Sequence, residues 1–266
     1  MSSINFPVSR NILLTGAGFT HNFGGFLAKT MWAEIHNHLQ RCINTRNSPL
    51  IKLIKDEFDY EELYQRVVNR TEYSEREKSD FTQSVLHAYD ILDKEIIAYY
   101  QSHYPLNCLR SMNDLLLRMM NNKGEKVFFF TLNQDLFVER YFMYYIDEKP
   151  VFPGIKLGNK LFDIAIVPSQ QELEKSMSNI NMLGELFYIK LHGSYKWRDS
   201  ENQNKLVIGT NKQDQIEVEP IFKRYFQLFK DVLSLPERRL LIIGYGFRDS
   251  HINEVIAESI KKYNLK

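Results

Sequence analysis

The 266-residue sequence predicts an α/β protein: a parallel sheet with helices on both faces and an inserted helical module. Three observations carry that expectation. Four short apolar runs, at residues 12–14, 126–132, 186–191 and 240–243, each end in glycine or polar residues. Apolar residues at steps of three and four follow most of them, the spacing of one helical face. Between the first two runs, residues 46–121 show almost no strand character.

The first run, Ile12-Leu13-Leu14, reads as a buried strand and empties into Gly16-Ala17-Gly18. Phe26, Leu27, Met31, Trp32, Ile35 and Leu39 then mark a helix. Strand, glycine turn and helix is the layout that faces free backbone N–H groups toward an anion. A Cβ there would block both positive φ values and close approach of a phosphate. A plain tight turn accounts for the same residues, because His21 stands where the third glycine of G-x-G-x-x-G would fall. No Gly-Lys-Ser/Thr follows, so this is not a P-loop.

Within residues 46–121, Phe81, Val85, Tyr89, Leu92, Ile96 and Tyr100 mark one amphipathic helix. Leu106, Leu109, Met112, Leu116 and Met119 mark another, with Pro105 between them. The continuous apolar run at 126–132 suits an interior parallel strand. It stops at Asn133-Gln134-Asp135, and Leu136, Val138, Tyr141, Phe142 and Tyr145 begin a helix. Pro150, Pro153, Gly154 and Gly158 mark a loop region.

The third strand, 186–191, ends at His192-Gly193-Ser194, and residues 195–218 read as short strands and turns. Ile221, Tyr225, Phe226, Leu228, Phe229, Val232 and Leu233 form the apolar face of the next helix. The fourth strand, 240–243, opens into Gly244-Tyr245-Gly246-Phe247-Arg248-Asp249. Asp249 or Ser250 is placed to cap a final helix whose inner face is Ile252, Val255, Ile256 and Ile260.

Composition bounds the function. An apolar fraction of 44% and a charged fraction of 25% are ordinary for a globular domain, here read as residues 1–266 with an insertion at about 46–121. A net charge of +1 gives no ground for a nucleic-acid surface. No apolar run reaches membrane-spanning length and no signal peptide precedes Asn11, so the expected compartment is the cytoplasm. The two cysteines, Cys42 and Cys108, form no Cys-x-x-Cys pair and read as buried, silent thiols.

In an open parallel sheet the four strand ends share one edge, so their loops converge on one crevice, as in Rossmann-like folds. They offer Gly16-Ala17-Gly18, Asn133 with Asp135, His192-Gly193, and Gly244-Tyr245-Gly246 with Asp249. Two glycine turns, an amide, an imidazole and a carboxylate suit a dinucleotide whose glycosidic bond is to be opened.

Taken together, "LTGAGFT", "FTLNQD", "KLHGS" and "IIGYGFRDSHIN" resemble the sirtuin-like NAD-consuming family. The resemblance is closest to its zinc-free bacterial branch, NADase effectors of antiphage defence. It implies that Gly16, Ala17 and Gly18 hold the NAD pyrophosphate, with Thr20 in place of the family's usual serine. It implies that Asn133 orients the nicotinamide ribose and attacking water, that Asp135 lies near the nicotinamide, and that His192 is the catalytic histidine. Gly244, Gly246, Asp249 and Asn253 would contact the adenosine half. Gln134 departs from the isoleucine or tyrosine common at that place.

Protein deacetylases of this family build a zinc ribbon from two Cys-x-x-Cys pairs beside the acyl-lysine groove, and Cys42 with Cys108 cannot. Water then replaces acyl-lysine as the acceptor. The expected substrate is NAD+, with no metal, and the expected products are ADP-ribose and nicotinamide. The resemblance also implies a homo-oligomer controlled by a sensor or ATPase partner, or by a further C-terminal domain. Charge and hydropathy lead to the expectation of no membrane and no direct nucleic-acid contact. The alternatives are an idle NAD or ADP-ribose sensor, a protein deacylase, and a dehydrogenase. The last lacks its acidic residue at the second strand's end, since Glu34 falls within a helical pattern.

Overall fold

A computed structural model describes residues 4–42, 48–101, 106–119, 124–145, 150–155, 165–178, 180 and 185–266. Its centre is a four-stranded sheet of β1 (Asn11–Thr15), β2 (Val127–Thr131), β4 (Leu186–Lys190) and β7 (Arg239–Ile243), in the order β4-β2-β1-β7. Every pairing is parallel, with Leu13 beside Phe129 and Leu241, and Phe129 beside Tyr188. Strands covered on both faces and both edges must be apolar throughout. β2, Val-Phe-Phe-Phe-Thr, is accordingly buried along its whole length.

The chain steps outward from β1 to β2 to β4, then returns to lay β7 on the other side of β1. That reversal is the switch point at which open α/β sheets bind ligands. The turns after β1 and β7 are the two glycine turns, so the topology seats them side by side.

Two expectations about the helices change. The first glycine turn leads into a short α1 (Ala17–His21), and α2 (Ala28–Cys42) begins only after a turn in which Gly24 has φ +86°. Phe26 and Leu27 therefore precede α2. After His192 the chain enters the short strands expected there. It runs into β5 (Gly193–Arg198), which pairs with β3 (Ala165–Ile166) and β6 (Asn204–Leu206) in a second sheet. Residues 195–218 also hold α9 (Lys212–Val218), a helix too short and polar to show in the sequence.

The inserted module is helical: α3 (Pro49–Asp56), α4 (Tyr60–Asn69), α5 (Glu75–Gln101) and α6 (Leu106–Met119). Ser48 accepts from the amide of Leu50 to start α3, and Asp59 accepts from those of Glu61 and Glu62 to start α4. α5 lies along α2 and seals Met31, Ile35 and Leu39 against Phe81, Val85 and Ala88 in the continuous core.

α7 (Phe137–Tyr145), α8 (Gln170–Ser178), α10 (Pro220–Leu233) and α11 (Ser250–Tyr263) complete the layers. α10 supplies the apolar face expected of it, Ile221 to Leu233. In α11, Ile260 points outward at 54% exposure rather than inward, since the helix rotates its Ile252–Val255–Ile256 face to the core. β7 is an edge strand, and Leu241 is 44% exposed.

Cys42 is half-buried, its Sγ 3.6 Å from His38 Nδ1. The expectations for Pro105 and Gly158, and for the side chains of Tyr100, Leu106, Cys108, Phe142 and Tyr145, fall outside the described residues. Among the described residues no helix is long and apolar enough to cross a membrane.

Candidate active site

The carboxyl ends of β1, β2, β4 and β7 open into one cavity of about 800 Å³, within the range that small-molecule sites occupy. Gly16, Ala17, Gly18, Asn133, Asp135, His192, Gly244, Gly246 and Asp249 all line it. The opposite wall is the helical module, through Tyr60, Glu61, Tyr89 and Leu92. The sequence places no site residue in that inserted module, and the structure makes it one wall of the site.

Asn133 leaves β2 with its amide donating to Thr131 Oγ1 at 3.1 Å. Its side-chain Nδ2 donates to the carbonyl of Gly16 at 3.1 Å and to Thr20 Oγ1 at 2.7 Å. Both N–H bonds are thereby committed to protein oxygens. This fixes the amide's orientation, because the reverse one would oppose Oδ1 to the Gly16 carbonyl. Oδ1 is left as the atom Asn133 can present to a ligand, an acceptor for a hydroxyl or a water.

Thr20 stands one layer further back. It is buried behind Asn133 and does not line the cavity. Its hydroxyl accepts from Asn133 and also bonds Asp135. It holds the site's amide in place.

Asp135 lines the cavity while accepting from the amide of Phe137 at 2.9 Å, at the start of α7. Burial pushes its carboxyl above the usual range, against the opposing pull of Lys190. Lys190, fully enclosed at the end of β4, donates to the Asp135 carbonyl and to Glu139 Oε1 at 2.7 Å. Gln134, singled out for its departure from the resembled pattern, spends its side chain on the scaffold. Nε2 donates to the Val207 carbonyl at 2.6 Å, and Oε1 accepts from the Tyr89 hydroxyl of α5.

His192 is 3% exposed. Burial first, then the positive charge of Lys212, lowers its pKa to about 3, so the ring is neutral near pH 7. Its Nε2 lies 3.1 Å from Nε2 of His251, in the first turn of α11. The sequence reading missed His251. The signal was there in "DSHIN", directly after the second glycine loop, but position along the chain gives no sign that it meets His192.

Lys212 was missed too. It lines the cavity and bridges Glu61 Oε2 and Asp249 Oδ1, each at 2.7 Å. Burial would depress its ammonium, but the two carboxylates outweigh that and raise it above its ordinary value. Asp249 stands at the N-cap position of α11, yet its side chain caps nothing, because its carboxylate belongs to Lys212. Despite burial, the surrounding positive charge, supplied by Lys212 while His192 is neutral, holds that carboxyl below the usual range.

The glycine turns differ most from expectation. The amides of Gly16 and Gly18 donate to the carbonyls of Ile243 and Gly244 at 3.1 and 2.9 Å, and that of Phe19 donates to Gly16 at 2.9 Å. These three N–H groups are spent on the protein. A Cβ on Gly18 would lie 2.9 Å from the Gly244 Cα, and one on Gly244 2.0 Å from the Phe19 nitrogen. The glycines permit two loops to interlock, which is a reason independent of phosphate. Asn253 lies outside the cavity lining. Its Nδ2 donates to the Phe247 carbonyl at 2.8 Å and its Oδ1 accepts from the Tyr245 hydroxyl at 2.9 Å, shaping the second glycine loop.

Among the described residues there is no group of three or more His, Cys, Asp or Glu side chains placed to hold a metal ion. A family model described as a SIR2-like domain matches residues 127–266. The match includes Asn133, His192, Asp249 and His251, and begins after the first glycine turn. No curated protein matches the chain.

Proposed function

The chain belongs to the SIR2-like domain family, and from that premise we propose that it hydrolyses NAD+ to ADP-ribose and nicotinamide. A SIR2-like domain is compatible with an NAD-using enzyme. The observation that supports hydrolysis is the convergence of Asn133 and His192 on a single cavity, with a neutral imidazole and an oriented amide oxygen.

Ordinary glycosidases need a general acid because an alcohol leaves poorly. Nicotinamide in NAD+ is a pyridinium and leaves neutral, so no proton donor is required. What remains is to place the ribose and a water and to accept one proton. Asn133 Oδ1, fixed by Gly16 and Thr20, can accept from a ribose hydroxyl or from water. His192, neutral by burial, can accept a proton. Asp135, with its carboxyl pushed up by burial, borders the same space.

The resemblance of the four strand-end motifs supports a role for this reaction in NAD-depleting antiphage defence, in a homo-oligomer governed by a sensor or ATPase partner or a further domain. The test is incubation with NAD+ and chromatography of the products. Nicotinamide and ADP-ribose are expected in equal amounts, and NADH, whose leaving group is not a pyridinium, is expected to stay intact. Asn133→Ala and His192→Ala should fold and lose about 100-fold or more in kcat. Full activity in both variants overturns the proposal.

A further inference from the structure

His192 and His251 face each other through Nε2, 3.1 Å apart. Neutral imidazoles bond this way only when one Nε2 carries hydrogen and the other offers a lone pair. Both rings border the cavity, and the Phe226 ring of α10 closes the far side of His251, with centroids 5.7 Å apart. Nδ1 of His192 has no hydrogen-bond partner among the described residues, nor is it one of the enclosed polar atoms left without one. It is the nitrogen open to a ligand.

We propose that His251 is a positioning residue for the NAD+ cleavage put forward above: it accepts from the Nε2–H of His192 and so keeps the Nδ1 lone pair of His192 toward the substrate. The idea rests on that reading of the site. In the reaction, the glycosidic C–N bond breaks with its electron pair going to the pyridinium nitrogen, so nicotinamide leaves neutral. An O–H bond of the attacking water breaks as Nδ1–H of His192 forms, and the oxygen keeps its electron pair for the new bond to the ribose carbon. The Nε2–H bond of His192 breaks as Nε2–H of His251 forms. One proton is taken up, and its charge comes to rest on His251, the ring that α11 carries.

The surroundings fit such a transfer. Asp249 and Lys212 act on both rings, and Glu254 acts on His251 as well. Lys212 opposes a second positive charge, whereas Asp249 favours it. A lone imidazole as strongly disfavoured from protonation as His192 is a poor base near neutrality. His251 is itself lowered first by burial, but Asp249 and Glu254 favour its protonated form, and it orients His192 in the way an orienting group fixes tautomer and charge in other imidazole-based sites.

The experiment has two arms. In the first, ¹⁵N NMR of the histidine rings reads the His192 tautomer in the wild-type chain without any turnover. An Nε2–H tautomer is expected, with loss of its preference in His251→Phe. An Nδ1–H tautomer in the wild type, or one indifferent to His251→Phe, overturns the proposal. In the second arm, kcat, KM and the pH profile for nicotinamide release are measured. His251→Gln retains an acceptor but cannot take a proton, so kcat should fall about tenfold with KM within about twofold, and the pH profile should shift. His251→Phe should lose about 100-fold, and His251→Gln serves alone should it not fold. Wild-type kcat and pH profile in His251→Gln overturn the proposal. A wild-type chain that releases no nicotinamide sinks the NADase reading instead, and the NMR arm still decides the imidazole pair.

Discussion

The His192 ring sits where water is excluded and beside the Lys212 ammonium, so a proton on it costs free energy in the folded state that it does not cost in the unfolded chain. A histidine whose folded pKa lies below its unfolded value supports the native state fully above the unfolded pKa, near 6.5, and loses that support as the pH falls toward the folded value, here about 3. The slope within that window approaches about 1.4 kcal/mol per pH unit. His251 and His38, both lowered first by burial, act with the same sign. Glu61, Asp135 and Glu139, raised first by burial, act with the opposite one. The useful measurement is therefore a difference. Urea unfolding at pH 7.0 and 5.5 should show the wild type losing about 1 kcal/mol more stability on acidification than His192→Gln. Equal losses would mean that His192 takes up its proton in the native state as readily as in the unfolded chain.

Among the elements, the two glycine turns make the sharpest contrast, because they look alike in sequence and carry different constraints. Gly244 has φ +69°, and a Cβ there would collide with the backbone of α1 at Phe19. Gly246 meets nothing nearer than the Arg248 Cγ at 4.0 Å. Gly244→Ala should cost about 2 kcal/mol or more and lower Tm by about 5 °C or more, while Gly246→Ala should stay within about 2 °C of wild type. Calorimetry on the two variants checks both. Equal effects would show that the loops do not interlock as described.

At the scale of the molecule, the helical module and the sheet are tied together across the cavity. Lys212 of α9 joins Glu61 of α4 to Asp249 of the second glycine loop, and Gln134 after β2 joins Tyr89 of α5 to the Val207 carbonyl. Removing a largely buried cation leaves two carboxylates uncompensated, a loss much larger than the pair's net worth. Lys212→Met should therefore destabilise the chain by about 2 kcal/mol or more and speed amide exchange in α4, and adding Glu61→Gln should recover part of the loss. Exchange in α4 at the wild-type rate would show that the module is held by its apolar contacts alone.

Local chemistry settled the four strands of the central sheet, the residues at their ends and most helices. Apolar runs, glycine punctuation and helical spacing are short-range signals, and Asn133, Asp135, His192 and the two glycine turns could be named from them before any coordinates. What lies far apart in sequence had to wait for the tertiary structure. His251 is 59 residues from His192, and Thr20 is 113 from Asn133. No periodicity reports which atoms of such pairs meet, how burial moves their pKa values, or that glycine amides fit for a phosphate are already bonded to the neighbouring loop.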